Sequence, residues 1–190
     1  GLEVRLQTTP VDLAGLGKKD VARLISHAVH EFERGGTAAV SSVSGTKITP
    51  DKSQIKEFKS FIERVSFNQF FHPVVYLETK ELLHYEILTR FEKGDTLEWV
   101  TLAEDAGLAL DFDMAVCERA VNYITFKAGG TRTRFSINIT AESFAHEKFL
   151  EKMERQLDKH KTLSERLLFE IRQSLLIENP EKLNAAVKKL

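Results

Sequence analysis

Three segments of the chain alternate in side-chain character with a period of two, which is the pattern of β-strands. They cover residues 84–91, 134–140 and 167–173. A segment with apolar residues at helical spacing follows each of them. The order strand, helix, strand, helix, strand, helix predicts repeated βα units, and repeated βα units predict a parallel sheet.

Each alternating segment has one apolar face and one mixed or polar face. Central strands of an open doubly wound sheet are covered on both faces and are apolar throughout. A closed barrel fits better, because helices cover its outside and the mixed face points into its lumen. The predicted fold class is therefore α/β, with a TIM-type (β/α) barrel. Glu86, Asn138 and Glu170 are on the mixed face of their strands, so their side chains would point into the lumen.

These three polar residues are candidates for a functional site. In barrels of this type the groups near the carboxyl ends of the strands build the active site. Arg90 has the same strand phase as Glu86, four residues later. The alternative is a sheet with one solvated face, on which these residues have no function. The pattern alone leaves both readings open.

The part of the chain before residue 84 contains two predicted helices and three predicted strands, the last of which begins a hairpin. The first helix covers about residues 20–34, and the second begins at Asp51 or Ser53 and ends near Val65. Strands are predicted at residues 2–7, at 37–43 and from Phe67 into a turn at residues 78–80. Further helices are predicted at residues 99–107, 112–126, 145–159 and 181–190.

Composition excludes several classes of function. The net charge of -1 argues against a broad electrostatic grip on nucleic acid or on anionic lipid. Cys117 is the one cysteine, so no internal disulfide is possible and a reducing, cytoplasmic location is expected. No apolar run approaches the roughly 20 residues of a membrane span. His72 and His84 have no Cys or His partner at ligand spacing, so structural roles are expected for them.

Five short motifs occur in order in the second part of the chain. They read FHP at 71–73, EILTR at 86–90, TLAEDAGL at 101–108, SINIT at 136–140 and FEIRQS at 169–174. This ordered set resembles EAL domains, the cyclic di-GMP phosphodiesterases. The corresponding patterns of that family are tyrosine-glutamine-proline, glutamate-alanine-leucine-leucine-arginine, a leucine-alanine-glutamate helix, valine-asparagine-isoleucine-serine and glutamate-leucine-threonine-glutamate-serine.

The resemblance implies a barrel hydrolase that uses two divalent cations, Mg²⁺ or Mn²⁺. By position, Glu86, Asn138 and Glu170 would be metal ligands, since hard cations prefer oxygen donors. Paired ions would activate a water and neutralise charge on the phosphodiester. Arg90 would hold a phosphate of the dinucleotide, because its guanidinium matches two phosphate oxygens.

The chain departs from the family pattern at four positions. Ile87 replaces the alanine of the signature, and His72 replaces the glutamine of the first strand. Arg172 stands where the family has threonine, and Gln173 where it has a second glutamate. Arg172 shares the phase of Glu170, so a cation there would oppose metal binding. The resemblance covers about the first half of the barrel, and the later family ligands would lie past Leu190.

A second resemblance concerns the start of the chain. Residues 20–36 resemble the last helix of a GGDEF domain, although an ordinary amphipathic helix is the alternative. The predicted organisation is a C-terminal remnant of a GGDEF-like domain at residues 1–45, a linker and helix at 46–66, and the N-terminal half of an EAL-like domain at 67–190.

Two functions follow from the resemblance. The favoured one is a degenerate bacterial EAL-domain signalling protein that binds cyclic di-GMP or a protein partner without efficient hydrolysis, and homodimers are a further option. It would need no metal cofactor. The alternative is an active metal-dependent phosphodiesterase that forms linear pGpG. A fragment with half of the barrel is expected to be inactive in either case.

Overall fold

The computed structural model describes residues 51–172 and 180–190, together with eight positions nearer the start of the chain. The chain divides into two compact units, residues 1–49 and 50–190. In the first unit the described positions between Val21 and Gly36 are helical, and Leu24 is buried, which confirms the predicted helix there. The predicted strands at 2–7 and 37–43 lie outside the described residues, as does Gln173.

The second unit alternates strands and helices as the sequence predicts. A π-helical turn at Tyr123–Lys127 extends the third helix, and a 3₁₀ turn at Lys161–Leu163 precedes the last strand. The helices and strands are α1 Lys52–Arg64, β1 Phe67–Val75, β2 Leu82–Phe91, α2 Thr96–Asp105, α3 Ala109–Asn122, β3 Phe135–Thr140, α4 Ala141–Phe144, α5 Glu147–Lys159, β4 Leu167–Arg172 and α6 Pro180–Lys189.

The four strands form one sheet in the order β1-β2-β3-β4. β1 is antiparallel to β2, whereas β2, β3 and β4 are parallel to one another. This arrangement confirms the predicted parallel sheet and the hairpin before it. Pro73 lies in β1, at the end of the strand order, where its missing N–H removes no central ladder bond.

Capping side chains set the helix boundaries; they resolve one open prediction and correct another. Of the two predicted candidates, Asp51 caps α1, since its carboxylate accepts from the Ser53 N–H at 3.1 Å. Asp95 caps α2 in the same way through the Leu97 N–H, so α2 begins at Thr96 and not at residue 99.

The ends of two further helices are also defined by the structure. Val65 continues the apolar spacing of α1, but it has a φ of 51° and ends the helix as an exposed residue. The helix predicted for about residues 145–159 is confirmed as α5, which His146 caps, and the short α4, which Thr140 caps, precedes it.

Ile87 of β2 and Ile137 of β3 are buried in one hydrophobic core together with residues of α1, α2, α3 and α5. An aromatic cluster fills the space between α1, α2 and α3, with the Phe58 ring 5.4 Å from Phe112 and 5.8 Å from Trp99. Each fully buried aromatic ring of this kind contributes about 2 kcal/mol through the area removed from water. Gln69 of β1 also reaches this layer and donates to the Val116 carbonyl at 3.0 Å.

One buried cation organises the loop between α3 and β3. Arg166 is 5% exposed, and its guanidinium donates to the carbonyl oxygens of Thr133, Ile124 and Ala128 at 2.8–3.2 Å. The guanidinium also lies over the Phe135 ring, 5.8 Å from its centroid. These hydrogen bonds join the carbonyl groups of Ile124 and Ala128, at the end of the helix, to the segment that precedes β3.

Across the described residues, no helix combines the length and the apolar character that a bilayer span requires.

Candidate functional site

The site candidates lie on the sheet face opposite the helices, which we call the lumen face. Partners in register on neighbouring strands point to the same side of a sheet. His72 of β1 is in register with Glu86 of β2, and Asn138 of β3 is in register with Glu170 of β4. The structure therefore brings the three candidate ligands onto one face, as the strand phases predict.

Asn138 and Glu86 make direct contact between neighbouring strands. The Nδ2 group of Asn138 donates to Oε1 of Glu86 at 2.7 Å. Both side chains are half-buried. A hydrogen bond to a charged acceptor is worth about 1.5–3 kcal/mol when it is shielded from water. The two candidate ligands thus stabilise each other.

Glu170 has a partner that the sequence analysis did not assign. Its Oε1 lies 3.6 Å from Nε2 of His84, which is two residues before Glu86 on the same face of β2. The His84 side chain is 14% exposed and that of Glu170 46%. The separation is longer than a hydrogen bond and is within the range of an ion pair if the imidazole is protonated. The strand phase of His84 was the available signal, since it matches that of Glu86.

Arg90 follows Leu88 by two residues, so it is the next side chain on the lumen face towards the carboxyl end of β2. Its side chain is exposed, and Nη1 donates to the Thr89 carbonyl at 2.9 Å. Asn68 of β1 is in register with it. The guanidinium keeps further N–H groups beyond this one bond, so its chemistry suits an anionic ligand.

The positions that depart from the family pattern have different surroundings. Ile87 is buried on the helix-facing side, so the larger side chain fills the core and not the site. His72 is exposed beside Glu86. Arg172 ends β4 in backbone register with Thr140. Gln173 lies outside the described residues.

Asp113 is a buried carboxylate at the start of α3 that braces the end of β3. Its Oδ2 accepts from the backbone N–H and from the hydroxyl of Thr140, at 3.1 and 2.8 Å. The carboxylate is 3% exposed and therefore needs such donors. The Thr140 hydroxyl also accepts from the Ser143 N–H and caps α4. This bracing fixes the strand end two residues after Asn138.

The candidate ligands match the cations that the resemblance implies in the kind of donor atom they offer. Glu86, Asn138 and Glu170 supply two carboxylates and an amide oxygen, the hard donors that Mg²⁺ and Mn²⁺ prefer. They adjoin one another on neighbouring strands, so they fit a hard cation in donor chemistry. Within the described part of the chain, no group of three or more His, Cys, Asp or Glu side chains converges as a metal site.

Cys117 lies apart from the site, in the buried hydrophobic core. Burial raises the pKa of its thiol well above the ordinary value, and the nearby Asp113 carboxylate raises it further. Lys152 acts in the opposite direction. The thiol is protonated and enclosed at neutral pH, so it is unsuited to nucleophilic chemistry.

Comparison with known proteins identifies the domain. The family model described as EAL domain matches residues 55–190. No curated protein matches the chain in sequence.

Solved EAL structures share the fold at low identity. The Xanthomonas citri FimX EAL domain in complex with c-diGMP is 21% identical, with a TM-score of 0.60 over 72% of this chain and 56% of its own. The Vibrio cholerae LapD S helix-GGDEF-EAL protein bound to c-di-GMP is 18% identical, with a TM-score of 0.65 over 94% of this chain and 46% of its own. The PaMucR phosphodiesterase, in a c-di-GMP complex, is 19% identical, with a TM-score of 0.58 over 70% of this chain and 60% of its own.

The chain spans about half the length of these solved structures. The structural likeness establishes the mixed α/β fold of a TIM-like barrel, of which this chain carries a part. The GGDEF assignment for residues 1–45 stays a prediction.

Proposed function

Because the chain belongs to the EAL domain family, we propose that it is the ligand-binding part of a cyclic di-GMP receptor that hydrolyses the dinucleotide poorly or not at all. Glu86, Asn138 and Arg90 would contact the ligand or position the groups that do. The proposal covers the whole protein of which this chain is part.

One observation carries the proposal of weak hydrolysis. One carboxylate that would hold a cation already has a protein partner: Oε1 of Glu86 accepts from Asn138, while Oε1 of Glu170 lies 3.6 Å from Nε2 of His84. A cation at Oε1 of Glu86 would compete with the Asn138 amide. Arg172 adds a positive charge where the family pattern has threonine. Gln173 lacks the carboxylate that the family pattern has at its position. Each change weakens the attraction for a divalent cation.

Binding of the dinucleotide is supported by the exposed guanidinium of Arg90. An arginine holds a phosphate through two parallel N–H···O bonds, and this requires no metal. The FimX and LapD structures that share the fold are described as complexes with c-di-GMP. The ligand of this chain is therefore expected to be of the same class.

The alternative function, a metal-dependent phosphodiesterase, is favoured by the donor set. Glu86, Asn138 and Glu170 would hold the cation, which when bound would activate water and neutralise charge on the phosphodiester. In that case Arg90 would orient the phosphate. The PaMucR structure that shares the fold is described as a phosphodiesterase.

Calorimetric titration of cyclic di-GMP into the full-length protein, with and without Mn²⁺, separates these functions. Product analysis of the same samples follows. We expect binding in both conditions and little linear product. Rapid Mn²⁺-dependent turnover that Glu86→Ala abolishes would establish the phosphodiesterase instead. No binding in either condition would reject both and favour a role in protein interaction.

A further inference from the structure

A basic surface lies at the amino ends of β3 and β4, opposite the strand ends that lead to the candidate site. It consists of residues 125–134, which lead into β3, and residues 158–165, which lead into β4. Together these segments carry five lysines or arginines and two acids, a net charge of +3 in a chain whose net charge is -1. We call these two segments the basal surface.

Contacts between the two segments make the basal surface continuous. The Arg166 guanidinium donates to the Thr133 carbonyl at 3.0 Å, and the Arg166 carbonyl accepts from the Phe135 N–H at 2.7 Å. The Phe126 ring meets the His160 ring edge to face, with 6.0 Å between their centroids. The cations of the two segments are therefore held on one side of the molecule.

The cations of the basal surface are available to an anionic partner. Four of them are exposed and have no acidic partner within the described part of the chain, namely Lys127, Arg132, Arg134 and Lys159. The fifth, Lys161, lies 3.9 Å from the Asp158 carboxylate, and both side chains are more than four-fifths exposed. An exposed pair at this distance contributes little, so Lys161 also attracts anions.

Phe126 projects from the middle of these charges. It lies on the π-helical turn that follows α3, next to Lys127, and 70% of its surface is exposed although phenylalanine is usually buried. Within these two segments it is the one large apolar side chain that is exposed. A nucleic-acid strand is bound by several aromatic rings in succession. One ring surrounded by cations is instead typical of a surface that anchors in a membrane interface.

The position of the basal surface in the sheet separates it from the edges of the partial barrel. β3 has both of its neighbours, β2 and β4, within this chain. Strands that complete the barrel would join the sheet at its edges and not over the segment that enters β3. Residues 125–134 therefore belong to an end of the barrel and not to a cut edge.

We infer that the basal surface binds an anionic lipid bilayer, with Phe126 inserted among the headgroups and the surrounding cations on lipid phosphates. The carboxyl ends of the strands would then face away from the bilayer, so the candidate site would stay open to solvent. The inference is independent of the proposed function.

Sedimentation of the full-length protein with vesicles tests the inference. We expect binding to vesicles of equal parts phosphatidylglycerol and phosphatidylcholine at low ionic strength, none to pure phosphatidylcholine, and loss of binding in high salt. Lys127→Glu with Arg132→Glu should weaken binding roughly 10- to 100-fold. Lys93→Glu with Lys148→Glu is the matched control, since both lysines are exposed in segments that follow the carboxyl ends of strands.

A second pair of variants reports insertion of the ring. Phe126→Ser should weaken vesicle binding roughly tenfold, because binding scales with the apolar area buried in the interface. Leu97→Ser, at an exposed position of α2, is its control and should bind as the wild type does.

Four outcomes would overturn the inference: no binding to the anionic vesicles, equal losses in the two double variants, full binding by Phe126→Ser, or tighter binding to a duplex oligonucleotide than to the vesicles. Titration of the same protein with cyclic di-GMP keeps the two proposals apart. Vesicle binding by a protein that does not bind the dinucleotide would reject the proposed function and support this inference.

Discussion

The amide of Asn138 donates to the carboxylate of Glu86 at 2.7 Å, although the two residues are 52 positions apart in the chain. The contact joins β2 to β3 on the lumen face, and Glu170 adjoins Asn138 on β4. The bond gives each side chain a defined orientation before any ligand arrives.

Replacement of Asn138 should reveal how strongly it is coupled to Glu86. A double-mutant cycle of Asn138→Ala and Glu86→Ala should give a coupling free energy of about 1 kcal/mol, because the pair is half-buried and partly screened. Urea unfolding of the four proteins measures it. Additive losses in the double variant would show that the hydrogen bond contributes no stability.

Arg90 should control affinity for the ligand and not the stability of the fold. Arg90→Ala should weaken cyclic di-GMP binding about 10- to 100-fold, the cost of a charge-assisted hydrogen bond to phosphate. Calorimetric titration measures the change. Arg155→Ala is the control, since Arg155 is an exposed cation on α5 that pairs only loosely with Glu151. Equal losses in both variants would indicate a general effect of charge.

Restoring the family pattern at the end of β4 should increase hydrolysis. The double variant Arg172→Thr with Gln173→Glu removes a cation and restores a carboxylate, so it should raise Mn²⁺-dependent product formation at least roughly tenfold. Chromatography of the nucleotides measures it in the full-length protein. Glu86→Gln in the same background should abolish the gain. A wild type that is already as fast as the double variant would contradict the proposed receptor.

Arg166 should be essential for the stability of the loop between α3 and β3. Arg166→Met should lower the free energy of unfolding by about 3 kcal/mol, because it removes three hydrogen bonds that a buried guanidinium donates to backbone carbonyl groups. Denaturant unfolding measures the loss. Arg132→Met, at an exposed position in the same loop, should change stability by less than about 0.5 kcal/mol. Similar losses in both would refute this role.

The buried thiol of Cys117 should make stability depend on alkaline pH. Its pKa is raised in the folded protein. The folded state therefore favours the protonated thiol, and the stability of the fold is unaffected by this group below the unfolded-state pKa of about 8.5. As pH rises from there through the folded-state pKa, the free energy of unfolding decreases, because the thiol ionises more readily in the unfolded chain. Stability measured at pH 7.5 and 9.5 should fall further in the wild type than in Cys117→Ala, by up to about 1.4 kcal/mol per pH unit. Equal slopes would refute the burial argument.

Local patterns in the sequence were sufficient to identify the strands, their faces and the candidate ligands. The alternation around Ile87 and Ile137 reports which face is buried, because side-chain direction on a strand has a period of two. The ordered motifs then indicated the EAL family, which the match over residues 55–190 confirms. Helix starts were less certain, since Asp95 and Thr140 act as caps through single hydrogen bonds that the apolar spacing does not show.

Only the tertiary structure decided which side chains of different strands and loops contact one another. No local pattern specifies that His84 meets Glu170 or that Arg166 reaches the carbonyl groups after α3. These contacts depend on strand register and on the turns between elements, which are set by packing of the whole sheet against its helices. The sequence by itself thus determined which residues are candidates for the site, and the fold determined which of them lie together.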